Sequence, residues 1–213
     1  MGLFSASTIA LLLSAAISST SAQSIAGAPA EANARLTALT YSGDSCPQET
    51  LQSEFDPILG VERSHVQGFA STMEGDRRLR SKFCQVHMEM TTDPGWKITV
   101  KSNSLQTQAH VAVGEGVTAS YFSTWFMPGS LTVDVVKRFE GPLDEIVSIA
   151  DPSPEFDGLQ PVSECGGGQL MVTRRIGLSG AGTGTMELFG DASNGGPINA
   201  DFVPWAALEF VKC

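Results

Sequence analysis

The sequence predicts an all-β fold, an antiparallel β-sandwich of jelly-roll-like or similar topology closed by two disulfides. Three observations predict it. Apolar and polar residues alternate with a period of two in run after run, as half-buried strands require, and no stretch sustains helical periodicity. The 22 glycines and 11 prolines punctuate these runs at short intervals, as turns between short strands do. The four cysteines, at positions 46, 84, 165 and 213, are even in number and contain no Cys-x-x-Cys, which suits cross-linking in an oxidising compartment better than metal binding.

The N-terminus comes first. Met1-Gly2-Leu3-Phe4 leads through an apolar stretch from Thr8 to Ile17 into the small residues Ser19-Thr20-Ser21-Ala22. This is the layout of a secretory signal peptide over residues 1–22, with cleavage after Ala22. About ten apolar residues are too few to span a hydrocarbon core ~30 Å thick. No later run of spanning length and no GPI-type tail follows, so the mature chain is expected to be secreted, extracellular and free of the membrane. Residues 23–38, rich in Ala and Ser with Pro29, show no alternation and read as a flexible leader. A single secreted β-sandwich domain is expected over 39–213.

Within that domain the clearest strand is Cys84-Gln85-Val86-His87-Met88-Glu89-Met90, which turns Cys84, Val86, Met88 and Met90 inward and Gln85, His87 and Glu89 to solvent. After the turn-forming Asp93-Pro94-Gly95, Trp96 to Lys101 alternates again, so 84–101 reads as a hairpin. Leu105, Thr107, Ala109, Val111 and Val113 share a face, and Val117 to Phe126 follows the break at Gly114-Glu115-Gly116. Met127-Pro128-Gly129-Ser130 is the next turn, and Leu131, Val133 and Val135 lead on to Phe139. The Pro-rich, acidic stretch 151–161 reads as a loop, after which strands are expected at 168–178, 183–190 and 205–212. The glycine-dense Gly177 to Thr185 lacks the Gly-Lys-Ser/Thr ending of a phosphate loop and is followed by strand pattern, so it reads as a bent or bulged strand.

The formal net charge is −10, and residues 1–22 carry no charged side chain, so all of it falls on the mature chain. An acidic surface offers no footprint for nucleic acid or anionic lipid. Four cysteines allow three disulfide connectivities. Sequential pairing, Cys46–Cys84 and Cys165–Cys213, is preferred, each bridge restricting the unfolded chain by roughly 3–4 kcal/mol.

Catalytic patterns are sparse. There is no Gly-x-Ser-x-Gly, and His65, His87 and His110 are scattered over separate segments with no short spacing to the cysteines, so neither a metal nor another cofactor is expected. Glycoside hydrolysis needs two facing carboxylates; Glu89, Asp134 and Glu187 fall on expected strands, without a pattern that pairs them. Asp151, Glu155 and Asp157 crowd one loop but lack the spacing of a calcium loop and read as solvated acids. The candidate binding residues are of two kinds. Gln85, His87 and Glu89 share a solvent face that could take a sugar. Tyr121 and Trp125 belong to the densest aromatic cluster, with Phe122 and Phe126; side chains two apart share a face, so these two either form a sugar platform or fill the core.

Five fragments carry a resemblance: Gly43-Asp44-Ser45-Cys46-Pro47, Cys84-Gln85 opening an alternating strand, Pro94-Gly95-Trp96, Cys165-Gly166-Gly167, and a terminal strand from Trp205 to Cys213. In this order and spacing the chain resembles, over 41–213, a mainly fungal family of small secreted proteins known only as a domain of unknown function. The resemblance implies a β-sandwich-like extracellular domain with structural cysteines and no catalytic residues to carry over. Fungal origin would place it at a cell wall or a host surface. The leading expectation is therefore a non-enzymatic binding module for a cell-wall polysaccharide or a host surface protein, the latter in the role of an effector. The alternative is a secreted hydrolase acting on a polysaccharide or peptide.

Overall fold

A computed structural model of the chain describes residues 23–25, 27–46, 52–56, 61–66, 69–75, 80–101, 105–152, 159–191, 200–202 and 208–213. The segment read as a signal peptide lies outside them. The strands in chain order are β1 (Gln23–Ser24), β2 (Arg35–Ser42), β3 (Gln52–Asp56), β4 (Val61–Val66), β5 (Ala70–Glu74), β6 (Arg80–Thr91), β7 (Trp96–Val100), β8 (Leu105–Val113), β9 (Val117–Phe126), β10 (Val133–Glu140), β11 (Leu143–Asp151), β12 (Gly167–Gly180), β13 (Thr183–Asp191), β14 (Ala200–Phe202) and β15 (Leu208–Lys212). One 3₁₀ turn, Ala30–Ala32, interrupts them. Among the described residues no helix is long and apolar enough to cross a membrane.

Every strand pair is antiparallel. A six-stranded sheet in the order β1-β2-β6-β12-β9-β10 and a four-stranded sheet in the order β11-β8-β13-β5 form the sandwich; β14-β4-β3 and β15-β7 are smaller sheets. The two large sheets share one core. Val86, Met88 and Met90 of β6, Leu170, Val172 and Ile176 of β12, and Val117 and Ala119 of β9 enter it from one side, and Ala109, Val111, Met186 and Ile149 enter it from the other. The alternation that marks β6 and β9 in the sequence is the burial pattern of their side chains: β9 is buried and half-buried at strictly alternate positions. Full burial of each large apolar side chain contributes about 1.5–3 kcal/mol, so a one-residue slip of either strand would reverse its whole apolar set.

Three expectations are corrected. The segment 23–38 is not a flexible leader: β1 pairs with β2, β2 begins at Arg35 inside the six-stranded sheet, and Ile25, Ala32 and Ala34 are buried. Small residues fill space there without leaving an alternating signature. The 84–101 hairpin does not form. The Asp93 carbonyl does accept from the Trp96 amide at 2.9 Å, making the turn, but β6 is already flanked by β2 and β12, and a strand has only two edges. β7 pairs instead with β15. Finally, Leu143 to Asp151 is an edge strand, its alternation masked by Asp144 and Glu145, and Asp151 ends that strand with its side chain in the core instead of in a solvated loop. Of the terminal strand expected over 205–212, residues 205–207 fall outside the described set.

The glycine-dense stretch is where the chain passes from one layer to the other. β12 ends at Gly180 in the six-stranded sheet and β13 starts at Thr183 in the four-stranded one. Gly180 adopts φ 120°, and a Cβ there would sit 2.0 Å from the Gly116 carbonyl oxygen, so no other residue fits. The chain is cross-linked at Cys46–Cys84 and Cys165–Cys213, with Cα separations of 5.3 and 6.1 Å. The first bond ties the chain beyond β2 to the middle of β6, and the second ties the end of β15 to the start of β12.

Candidate functional site

β9 organises both faces of the six-stranded sheet. Its inward positions 121, 123 and 125 carry three hydrogen-bond donors, Tyr121, Ser123 and Trp125, where a core strand would ordinarily be apolar. All three converge on Asp151 from the opposite sheet. The Tyr121 hydroxyl donates to Asp151 Oδ2 at 2.5 Å, and Ser123 Oγ and Trp125 Nε1 donate to Oδ1 at 2.5 and 2.7 Å. Arg174, beside Ser123 on β12, brings Nε to 3.2 Å from Oδ2. Tyr121, Trp125 and Asp151 have no exposed surface. Burial, opposed by Arg174 and reinforced by the Asp151 charge, holds the Tyr121 hydroxyl far above its usual range. This cluster is a polar pin between the sheets, in which a buried carboxylate finds the partners it requires. It offers no surface to a ligand.

The opposite parity of β9 faces solvent and lines a groove of about 680 Å³. The registers of β10, β9, β12 and β6 set the outward side chains in rows. The first is Val136, Phe122, Arg175 and Phe83; the second is Arg138, Ser120, Gly177 and Ser81; the third is Glu140, Thr118 and Ser179. The middle row explains the groove: between Arg138 and β6 it holds only the small residues Ser120, Gly177 and Ser81, which form a floor. Phe122 and Arg175 rise on one side of it, with Arg138 and Glu140 at the β10 end. The guanidinium of Arg175 lies 5.9 Å from the centroid of the Phe83 ring, within range of a cation–π contact. Thr124 and Thr173 close the groove towards Gln85. Such a surface combines an aromatic ring face, hydroxyls that both donate and accept, two guanidinium forks and one carboxylate.

A family model for a domain of unknown function, DUF4360, matches residues 32–200. The chain belongs to the DUF4360 family. No curated protein matches it. Among solved structures, that of TmCBM61 in complex with β-1,4-galactotriose is similar over 82% of this chain and 88% of that one, at 11% identity and a TM-score of 0.25.

In this DUF4360 domain the residues singled out from the sequence are distributed as follows. Tyr121 and Trp125 share a face, as their spacing requires, but it is the inward one, so they are not a sugar platform; the donors on their side chains are consumed by Asp151. Their neighbour Phe122 takes the outward place. Gln85, His87 and Glu89 lie on the outward face next to the groove. Gln85 Nε2 donates to Thr173 Oγ1 at 2.9 Å and approaches Met171 Sδ at 3.1 Å, and Gln85 Oε1 lies 3.1 Å from His87 Nε2. Gln85 thus supports a residue of the groove wall, whereas Glu89 is exposed beyond it. His65 falls on β4, and His110 pairs with Asp144 at 2.8 Å on the outer face of the other sheet.

The carboxylates considered for hydrolysis do not meet. Asp134, at the β10 edge, accepts from Thr124 at 2.6 Å. Glu89 lies three strands away and four residues further along, roughly 20 Å at the usual strand spacing and rise, and Glu187 is on the other sheet. Of the acids considered for calcium, Asp151 points into the core and Glu155 and Asp157 lie outside the described residues. Among those residues no group of three His, Cys, Asp or Glu side chains could hold a metal. Sequence reasoning named Phe122 only as a member of the aromatic cluster and missed Arg138, Glu140 and Arg175. Their parity was readable, but which strands lie side by side, and in which register, was not.

Proposed function

We propose that this domain is an extracellular glycan-binding module, holding a segment of polysaccharide in the groove across β10, β9 and β12. The observation that carries the reading is the composition of the groove. Phe122 offers a ring face to the C–H surface of a sugar, and Ser120, Thr118, Ser179, Arg138, Glu140 and Arg175 surround it with paired donors and acceptors. A few placed polar groups around an apolar anchor are the ordinary make-up of a small-ligand site. Hydrolysis of a glycoside would need two carboxylates about 5–9.5 Å apart, and Glu140 is the one carboxylate among the described lining residues, which favours binding over cleavage. Export is supported by the N-terminal segment and the two disulfides. Secretion by a fungus would make a wall polysaccharide or a host-surface glycan the natural partner, with an effector role as its host-directed form.

The test is retention of the mature protein on chitin, β-glucan and host-surface extracts, alongside affinity electrophoresis in soluble polysaccharides. Phe122→Ala should weaken retention at least tenfold with no change in unfolding temperature beyond a few degrees. Failure of the unsubstituted protein to bind any matrix would overturn the reading. The buried Trp125 would be a poor control, because its loss would disturb the core.

A further inference from the structure

The geometry points to an acidic sugar as the ligand: we infer that the groove selects a glycan carrying an isolated uronate, whose carboxylate is held between Arg138 and Arg175. The inference rests on the glycan reading above and sharpens it.

The first observation concerns charge. The chain has a net charge of −10, yet the groove contains two guanidiniums against the single carboxylate of Glu140. Two other cations of the chain are answered by acids. Arg174 has Asp151, and Lys82 has Asp44 at 3.5 Å. Among the described residues neither Arg138 nor Arg175 takes part in an ion pair. Arg175 is steadied by the face of Phe83, a contact that leaves the N–H edge of the guanidinium available.

The second observation concerns spacing. Arg138 is in register with Ser120 and Gly177, and Arg175 is one row away on β12. Two strand spacings and two residue rises place their Cα atoms about 12 Å apart, and each side chain reaches about half that distance. A carboxylate lying over the Ser120 and Gly177 floor is therefore within reach of both forks, and carboxylate is the planar acceptor that a guanidinium fork matches. Glu140, at the next outward position of β10, is left to accept from sugar hydroxyls.

The third observation limits the ligand. With the rest of the molecule strongly acidic, a dense polyanion would be repelled along its length, whereas one carboxylate in a mostly neutral chain meets only the local cationic pair. Sparse uronates should be preferred to dense ones.

Calorimetric titration of the intact mature protein with matched oligosaccharides tests this. The pairs are trigalacturonate against its methyl ester, and a xylo-oligosaccharide with one glucuronate branch against the unbranched chain. The chain with the single glucuronate branch should bind tenfold or more tightly than its neutral partner, and trigalacturonate, with three adjacent carboxylates, should gain less over its ester. Arg138→Gln and Arg175→Gln should each abolish the advantage of the acidic member, bringing the two affinities of the pair to within twofold of one another, and the acid preference of the unsubstituted protein should shrink between 50 and 500 mM salt. Equal affinity within every pair would overturn the inference while leaving the glycan reading intact. Binding of none of them, or of any other glycan, would overturn both. Both arginines are exposed, so the variants should fold; an unchanged unfolding temperature checks this.

Discussion

Asp151 gathers side chains that would otherwise be stranded. Tyr121, Ser123 and Trp125 each donate to it, and Arg174 lies against it. Buried donors that lose their acceptor keep the cost of leaving water and lose the compensation. Asp151→Ala should therefore destabilise the fold by about 3–5 kcal/mol, the usual penalty for breaking a buried charged cluster from one side. Urea unfolding would measure it, as a lower midpoint at unchanged slope. The same cluster has an alkaline signature. Tyr121 is held above its usual range, so the folded state keeps the phenol proton longer than the unfolded chain does. The stability tied to that proton is complete below about pH 10, the unfolded value, and is lost as pH rises past it. Tyr41 and Tyr121 are the only tyrosines, so ultraviolet titration is readable. The Tyr121 absorbance step should appear together with unfolding, and Tyr121→Phe should remove it.

At the scale of elements, β12 is the hub, with β6 on one side and β9 on the other, and the Cys165–Cys213 bond fastens the two-stranded β15-β7 sheet to its start. A two-stranded sheet is marginal alone. Removing the bridge by Cys165→Ala with Cys213→Ala should cost about 4 kcal/mol by loop closure. The loss should be local first: amide exchange at Lys97 and Val211, which pair across β7 and β15, should quicken while exchange in β9 holds. These elements also show what a sequence makes legible. β6 and β9 declare themselves because one face of each is buried and the other is not, and that difference is written residue by residue. β11 does not, because at a sheet edge most of its side chains meet water on both faces. β2 does not, because Ala and Thr pack without an apolar signature. The hairpin expected at 84–101 failed for a different reason: a turn fixes a local reversal, but the partner of the emerging strand depends on which edges are already occupied.

At the scale of the molecule, the sandwich turns one strand into two devices, a polar pin inside and a groove outside, from alternate residues of β9. The sequence made Tyr121 and Trp125 conspicuous as aromatics, while the more telling feature was that the inward face carried three donors and so demanded a buried acceptor. The groove was illegible because it is assembled laterally from β10, β9, β12 and β6, whose order does not follow the chain. Gly177 illustrates this. Read along the chain it belongs to a glycine-dense, bent or bulged strand; read across the sheet it is the floor between Ser120 and Ser81. Its backbone does not require glycine, since it is not among the positive-φ residues, so a β-branched side chain suits the strand there. Gly177→Val should fill the floor with isopropyl bulk, leave the unfolding temperature within a few degrees, and reduce glycan retention at least tenfold. Full retention in the filled variant would move the binding surface elsewhere, whereas a collapse of stability would show that Gly177 serves packing instead of leaving space for a ligand.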